Sequence, residues 1–117
     1  MISITADDAI AINGKFNGTA SPWVNRPLLE SAFSSYSYYN DHIEQACSIF
    51  RGIAKNHAFS DGNKRTAVAI LGAALAELGY FADPGALSAF TMDVVLHNYD
   101  IPEIAVKLRE LLRPLHL

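Results

Sequence analysis

Apolar residues return at helical spacing along most of the chain, and only one stretch alternates like a strand. Over residues 41–55, Ile43, Ala46, Cys47, Phe50, Ile53 and Ala54 fall on one face behind an Asp41/Glu44 capping box, which predicts an amphipathic helix. Over 63–78 the pattern is apolar nearly all round, through Ala67, Val68, Ile70, Leu71, Ala74, Leu75 and Leu78. That predicts the buried central helix of a bundle, with Gly79 as its C-terminal cap. Thr5 and Asp8 open a short first helix through Ala9, Ile10 and Ile12, ended by Asn13-Gly14. Residues 16–27 hold Gly18, Pro22, Asn25 and Pro27 and read as a loop. Trp23 in that loop either covers one end of the core or lines a substrate groove.

A short helix is expected over 28–33. Asp83-Pro84 and Asp100-Ile101-Pro102-Glu103 each place a cap before a proline and start two more helices. The first would bury Leu87, Phe90, Val94 and Val95 and tolerates a break near Thr91; the second would bury Ile104, Leu108, Leu111 and Leu112. The strand-like stretch is 34–40, Ser-Ser-Tyr-Ser-Tyr-Tyr-Asn. It reads as a surface loop whose tyrosines pack on the core, or as a flap whose edge pairs with an extended segment of another protein. The fold class is all-α: one helical bundle of about five to seven helices with a central buried helix and a short flap segment, residues 1–117 forming a single domain.

Charge narrows the partners. With a net charge of −3 and a pI near 5.7, the chain has no general attraction for nucleic acid. The lone Cys47 allows no internal disulfide and sits among apolar neighbours, as a small buried hydrophobe in a reducing cytoplasm does; a nucleophile there would lack a charge to activate it. Residues 1–4 lack a basic leader and no apolar run is long enough to cross a bilayer, so a cytoplasmic location is expected. His42, His97 and His116 are too scattered for a metal site.

The chemistry concentrates in residues 57–67, His-Ala-Phe-Ser-Asp-Gly-Asn-Lys-Arg-Thr-Ala. Asp61-Gly62-Asn63 is a turn that feeds the central helix, whose N-terminal N–H groups form an anion site. Lys64 and Arg65 in its first turn oppose the helix dipole by roughly a few tenths of a kcal/mol each, which a bound phosphate would reverse. His57 is placed as general base toward an attacking hydroxyl. Asp61 offers a hard oxygen to Mg²⁺ or orients a neighbour, Gly62 lets backbone amides approach a phosphate, and Asn63 could cap the helix and bond a phosphate. Lys64 and Arg65 would neutralise the transferring group. A capped helix with solvated charges is the plainer alternative.

This stretch resembles the signature of the Fic/Doc (Fido) family, H-x-F-x-[DE]-G-N-G-R-x-x-R. Lys64 stands at the second glycine, and residues 63–67 resemble the Doc, or death-on-curing, branch. Weaker similarity covers residues 5–8, 26–32 and 78–80. The resemblance implies an all-α Fido fold, His57 as general base, Asp61 associated with Mg²⁺, Gly62 and Asn63 in the anion-binding loop, and Lys64 and Arg65 on nucleotide phosphates. Ala58 replaces a common proline, and Val68 occupies the position of the second Fic arginine. An apolar residue there is similar to Doc-type proteins, which phosphorylate rather than AMPylate. The implied activity is a toxin kinase of a type II toxin–antitoxin system, using ATP or another nucleoside triphosphate on a Ser or Thr hydroxyl of elongation factor Tu. Fic-type adenylyl transfer, or a silent Fido binding module, is the alternative. No [ST]-x-x-x-E-[GN] inhibitory motif is present, so a Phd-type antitoxin is the expected restraint.

Overall fold

The computed structural model describes residues 2–115, so His116 lies outside it. Six helices form in the order α1 (Ala6–Asn17), α2 (Arg26–Ser34), α3 (His42–Asn56), α4 (Asn63–Glu77), α5 (Pro84–Leu96) and α6 (Ile101–Arg109). The all-α reading holds, and local signals start most of these helices. Thr5 and Asp8 bond reciprocally across the first turn of α1, and Asp100 and Glu103 do the same for α6. Asp41 accepts from the N–H groups of Ile43 and Glu44, and Asp83 from that of Ala86. A guanidinium from Arg109 also meets Asp41. Burial alone would raise that carboxyl's pKa, but the backbone donors and Arg109 outweigh it and hold it below the usual value.

The core lies between α3 and α4. Phe50, Ile53 and Cys47 of α3 meet Ala67, Ile70, Leu71, Ala74 and Leu75 of α4, all essentially excluded from water. Phe50 also stacks on Phe90 of α5 at 5.4 Å between ring centres. The central helix is not covered all round, as its composition had predicted. Ala73 and Ala76 are exposed and Ala69 and Gly72 only half-buried, and such small residues lose little by facing water.

Helices α2 and α3 cross closely at Ala32 and Gly52, where a Cβ built on Gly52 would lie 2.5 Å from the Cβ of Ala32. Gly52→Ala is therefore expected to cost about 1–3 kcal/mol through overpacking, although alanine favours the helix. Chemical unfolding checks this; an unchanged midpoint would mean that the crossing parts without strain.

Three more expectations are corrected. The first helix does not stop at Asn13-Gly14 but runs to Asn17, with Gly18 as its left-handed cap, because the Asn13 side chain is engaged elsewhere in the fold. The stretch 34–40 is not strand-like: Ser35–Tyr38 is a 3₁₀ turn. The hydroxyls of Ser34, Ser35 and Ser37 each bond the carbonyl three residues back, which favours a tight turn over an extended chain. Tyr36 and Tyr39 pack against the core while Tyr38 stands in solvent. The break near Thr91 does not occur, since its hydroxyl bonds the Leu87 carbonyl within a continuous α5.

A two-residue ribbon, β1 (Tyr80–Phe81) with β2 (Arg113–Pro114), pairs antiparallel beyond the C-terminal end of α4. Gly79, with φ 88°, turns the chain into it, as the cap reading required. At the same end Ser3 bonds the Glu77 carboxylate through its N–H and hydroxyl, and the Leu115 N–H bonds the Gly79 carbonyl.

At the α5–α6 junction, Asp93 accepts from the Tyr99 hydroxyl at 2.8 Å and pairs with Lys107 at 3.6 Å. The Tyr99 hydrogen bond, then Lys107, lowers the Asp93 pKa. A carboxyl lowered on folding contributes stability above its unfolded pKa and loses it as pH falls through the folded value. Asp93→Asn should therefore flatten the acid side of the stability–pH curve below about pH 4; parallel curves for the two proteins would refute the linkage.

Candidate functional site

The loop from α3 to α4 begins with strain. His57 is the C-cap of α3 at φ 52°, and it is the only non-glycine residue with positive φ among the described residues. That conformation costs on the order of 1–2 kcal/mol, and it turns the chain sharply out of the helix. Ala58 and Phe59 then plunge into the core, so His57 stands exposed above an anchored pair. No hydrogen bond to its ring occurs among the described residues.

Asn63 holds the loop closed. Its side-chain oxygen accepts from the Phe59 N–H at 3.0 Å and its nitrogen donates to the Phe59 carbonyl at 2.9 Å, all in the interior. The expected side-chain cap is corrected: Asn63 clasps the loop instead, using its side-chain oxygen and one of its two amide N–H donors. The cap position falls to Gly62, at φ 75°, with no side-chain cap on α4. A Cβ there would approach the Asn13 amide to 3.2 Å as well as opposing the backbone angle. The N–H groups of Asn63, Lys64 and Arg65 consequently have no partner among the described residues.

Two residues that the sequence reading missed fasten this loop from α1. Asn13, buried, donates to the Asp61 carbonyl at 2.8 Å and the Thr66 hydroxyl at 3.1 Å. Asn17 donates to Asn13 and, at 3.3 Å, to the same Asp61 carbonyl. Asn13-Gly14 resembled a turn, and nothing in its spacing pointed to a partner 48 residues away. On the other side, Val24 pairs antiparallel with Phe59, and the Asn25 N–H bonds the Ala58 carbonyl at 2.7 Å. Trp23, just before this bridge, is 62% exposed and so does not cover the core.

A cleft of about 400 Å³ results, lined by His57, Ser60 and residues 61–65. The structure thus brings together every residue singled out in the sequence: His57, Asp61, Gly62, Asn63, Lys64 and Arg65. The Asp61 carboxylate is exposed and, among the described residues, accepts only the Gly62 N–H, at 2.8 Å. Lys64 and Arg65 are exposed and form no ion pair among the described residues; Arg65 lies over the Phe16 ring, 5.2 Å from its centre. An apolar groove of about 340 Å³ shares these two cations and adds Phe16, Val68, Ala69 and Met92. Cys47 is fully buried, and burial pushes its thiol up to about 12, which removes it as a nucleophile.

The loop thus gathers a helix N-terminus with open amides, two cations in no ion pair among the described residues, one carboxylate and one exposed imidazole. The profile of the Fic/DOC family matches residues 6–75, and the chain belongs to that family. Its members are typically transferases that move an adenylyl or a phosphoryl group. No curated protein matches the chain. No helix among the described residues is long and apolar enough to cross a membrane.

Proposed function

We propose that the protein is a Doc-type kinase, the toxin of a toxin–antitoxin pair, which phosphorylates a Ser or Thr hydroxyl of elongation factor Tu. The observation that carries the reading is the open first turn of α4, where three backbone amides and the unpaired Lys64 and Arg65 converge on one cleft with His57. The phosphates of a nucleoside triphosphate seat on those amides and cations. His57 takes the proton of the target hydroxyl. The hydroxyl oxygen bonds to the γ-phosphorus as the bond to the β,γ-bridging oxygen breaks, and the nucleoside diphosphate leaves.

Among the described residues no group of three or more His, Cys, Asp or Glu could cage a metal. The single exposed carboxylate of Asp61 nevertheless fits Mg²⁺, which takes few protein ligands and completes its shell with phosphate oxygens and water. When bound, the ion neutralises phosphate charge. Val68 supports phosphoryl over adenylyl transfer: it places an apolar side chain in the groove wall where the Fic signature has an arginine. The elongation factor as target and a Phd-type antitoxin as the restraint rest on the resemblance of residues 63–67 to the Doc branch and on the missing inhibitory motif.

Intact-mass analysis of elongation factor Tu, incubated with the protein, Mg²⁺ and ATP, tests this. One added phosphoryl group is expected. One added adenylyl group would reassign the reaction to the Fic type, and an unmodified target would overturn the choice of elongation factor Tu.

A further inference from the structure

Ser48, Arg51 and Lys55 follow one another at intervals of three and four on α3 and so share one face. That face opens into a second cleft of about 400 Å³ between α2, α3 and the α5–α6 turn. No residue lining it also lines the cleft at the loop, and no Asp or Glu lines it. Its groups are cations, hydroxyls and amides, in a chain whose net charge is −3.

The cations are poorly matched. The Arg51 Nε is buried and has no hydrogen-bond partner, and Arg51 forms no ion pair among the described residues. A buried charged donor left unpaired is costly, which an incoming acceptor would relieve. Lys55 meets neutral oxygens only, the His97 carbonyl at 2.7 Å and the Asn98 amide oxygen at 3.4 Å. Beside them the Ser35 and Ser48 hydroxyls lie 2.8 Å apart.

We propose that this cleft is an anion site separate from the transfer site, taking the phosphate group of a small phosphate monoester. The guanidinium and the ammonium together supply more donors than the two oxygens of a carboxylate use. Two positive charges match a dianion with three free oxygens. The volume is in the range of small-ligand pockets, so the phosphate can carry an organic group.

An NMR titration of backbone amides tests it, using the full chain at constant ionic strength with inorganic phosphate in one arm and glycerol 3-phosphate in the other. Saturable shifts are expected at residues 48–55 and at Asn98, with tighter binding of the monoester. Arg51→Gln and Lys55→Gln should each weaken binding by about tenfold or more, while Lys64→Gln leaves it unchanged. Equal affinity in both arms would assign the cleft to free phosphate and overturn the monoester. Shifts confined to 61–66, or cleft shifts that survive Lys55→Gln, would overturn the site. Lys55 is partly exposed, so its variant keeps the test valid if Arg51→Gln fails to fold.

Discussion

Replacing His57 with asparagine is expected to slow phosphoryl transfer by about 10²–10⁴-fold, the usual contribution of a positioned general base, while leaving the thermal midpoint close to that of the parent. Asparagine is the informative substitute because the residue sits at φ 52°, and asparagine tolerates the left-handed region better than most side chains. Alanine at the same place would mix lost chemistry with a backbone penalty. The ring makes no hydrogen bond among the described residues, so its removal should strand no partner. Single-turnover phosphorylation, followed beside circular dichroism melts, separates the two effects. An undiminished rate would remove His57 from the chemistry, and a large fall in midpoint would show a structural role for the ring.

Asn63→Ala should behave in the opposite way, lowering stability by about 2–5 kcal/mol even with no nucleotide present. The substitution strands the N–H and the carbonyl of Phe59, both now bonded to the Asn63 side chain in the interior, and each unsatisfied buried group costs roughly 1–3 kcal/mol. Urea unfolding of the free protein measures it. If Asn63 served only as a phosphate ligand, the free protein would unfold at its usual midpoint and only nucleotide affinity would drop. The loop is expected to lose its shape along with its stability, so transfer should fall as well.

The contrast shows what was legible in the sequence. Helix starts were readable because a cap acts over three residues: Thr5/Asp8, Asp41, Asp83 and Asp100 all sit where their spacing put them. The candidate site residues were readable as a group because they are contiguous. Their individual duties were not, since Asn63 turns inward and the partners of Asp61 come from α1. A buried asparagine reaching a distant carbonyl leaves no periodic trace, so Asn13-Gly14 passed for a turn. The alternation of 34–40 misled for a local reason, the serine hydroxyls binding their own backbone. The short β1/β2 ribbon is below the length at which alternation can be detected.

Both mapped ends of the chain are fastened at the same pole of α4, Ser3 to Glu77 and Leu115 to Gly79. The cleft lined by residues 57 and 60–65 lies at the other pole, about 22 Å away along a 15-residue helix. Handles at either mapped end, whether a dye, a surface linker or a host protein into which the unit is spliced, would therefore emerge together and point away from that cleft. The domain can be immobilised or displayed in tandem with the loop cleft outward.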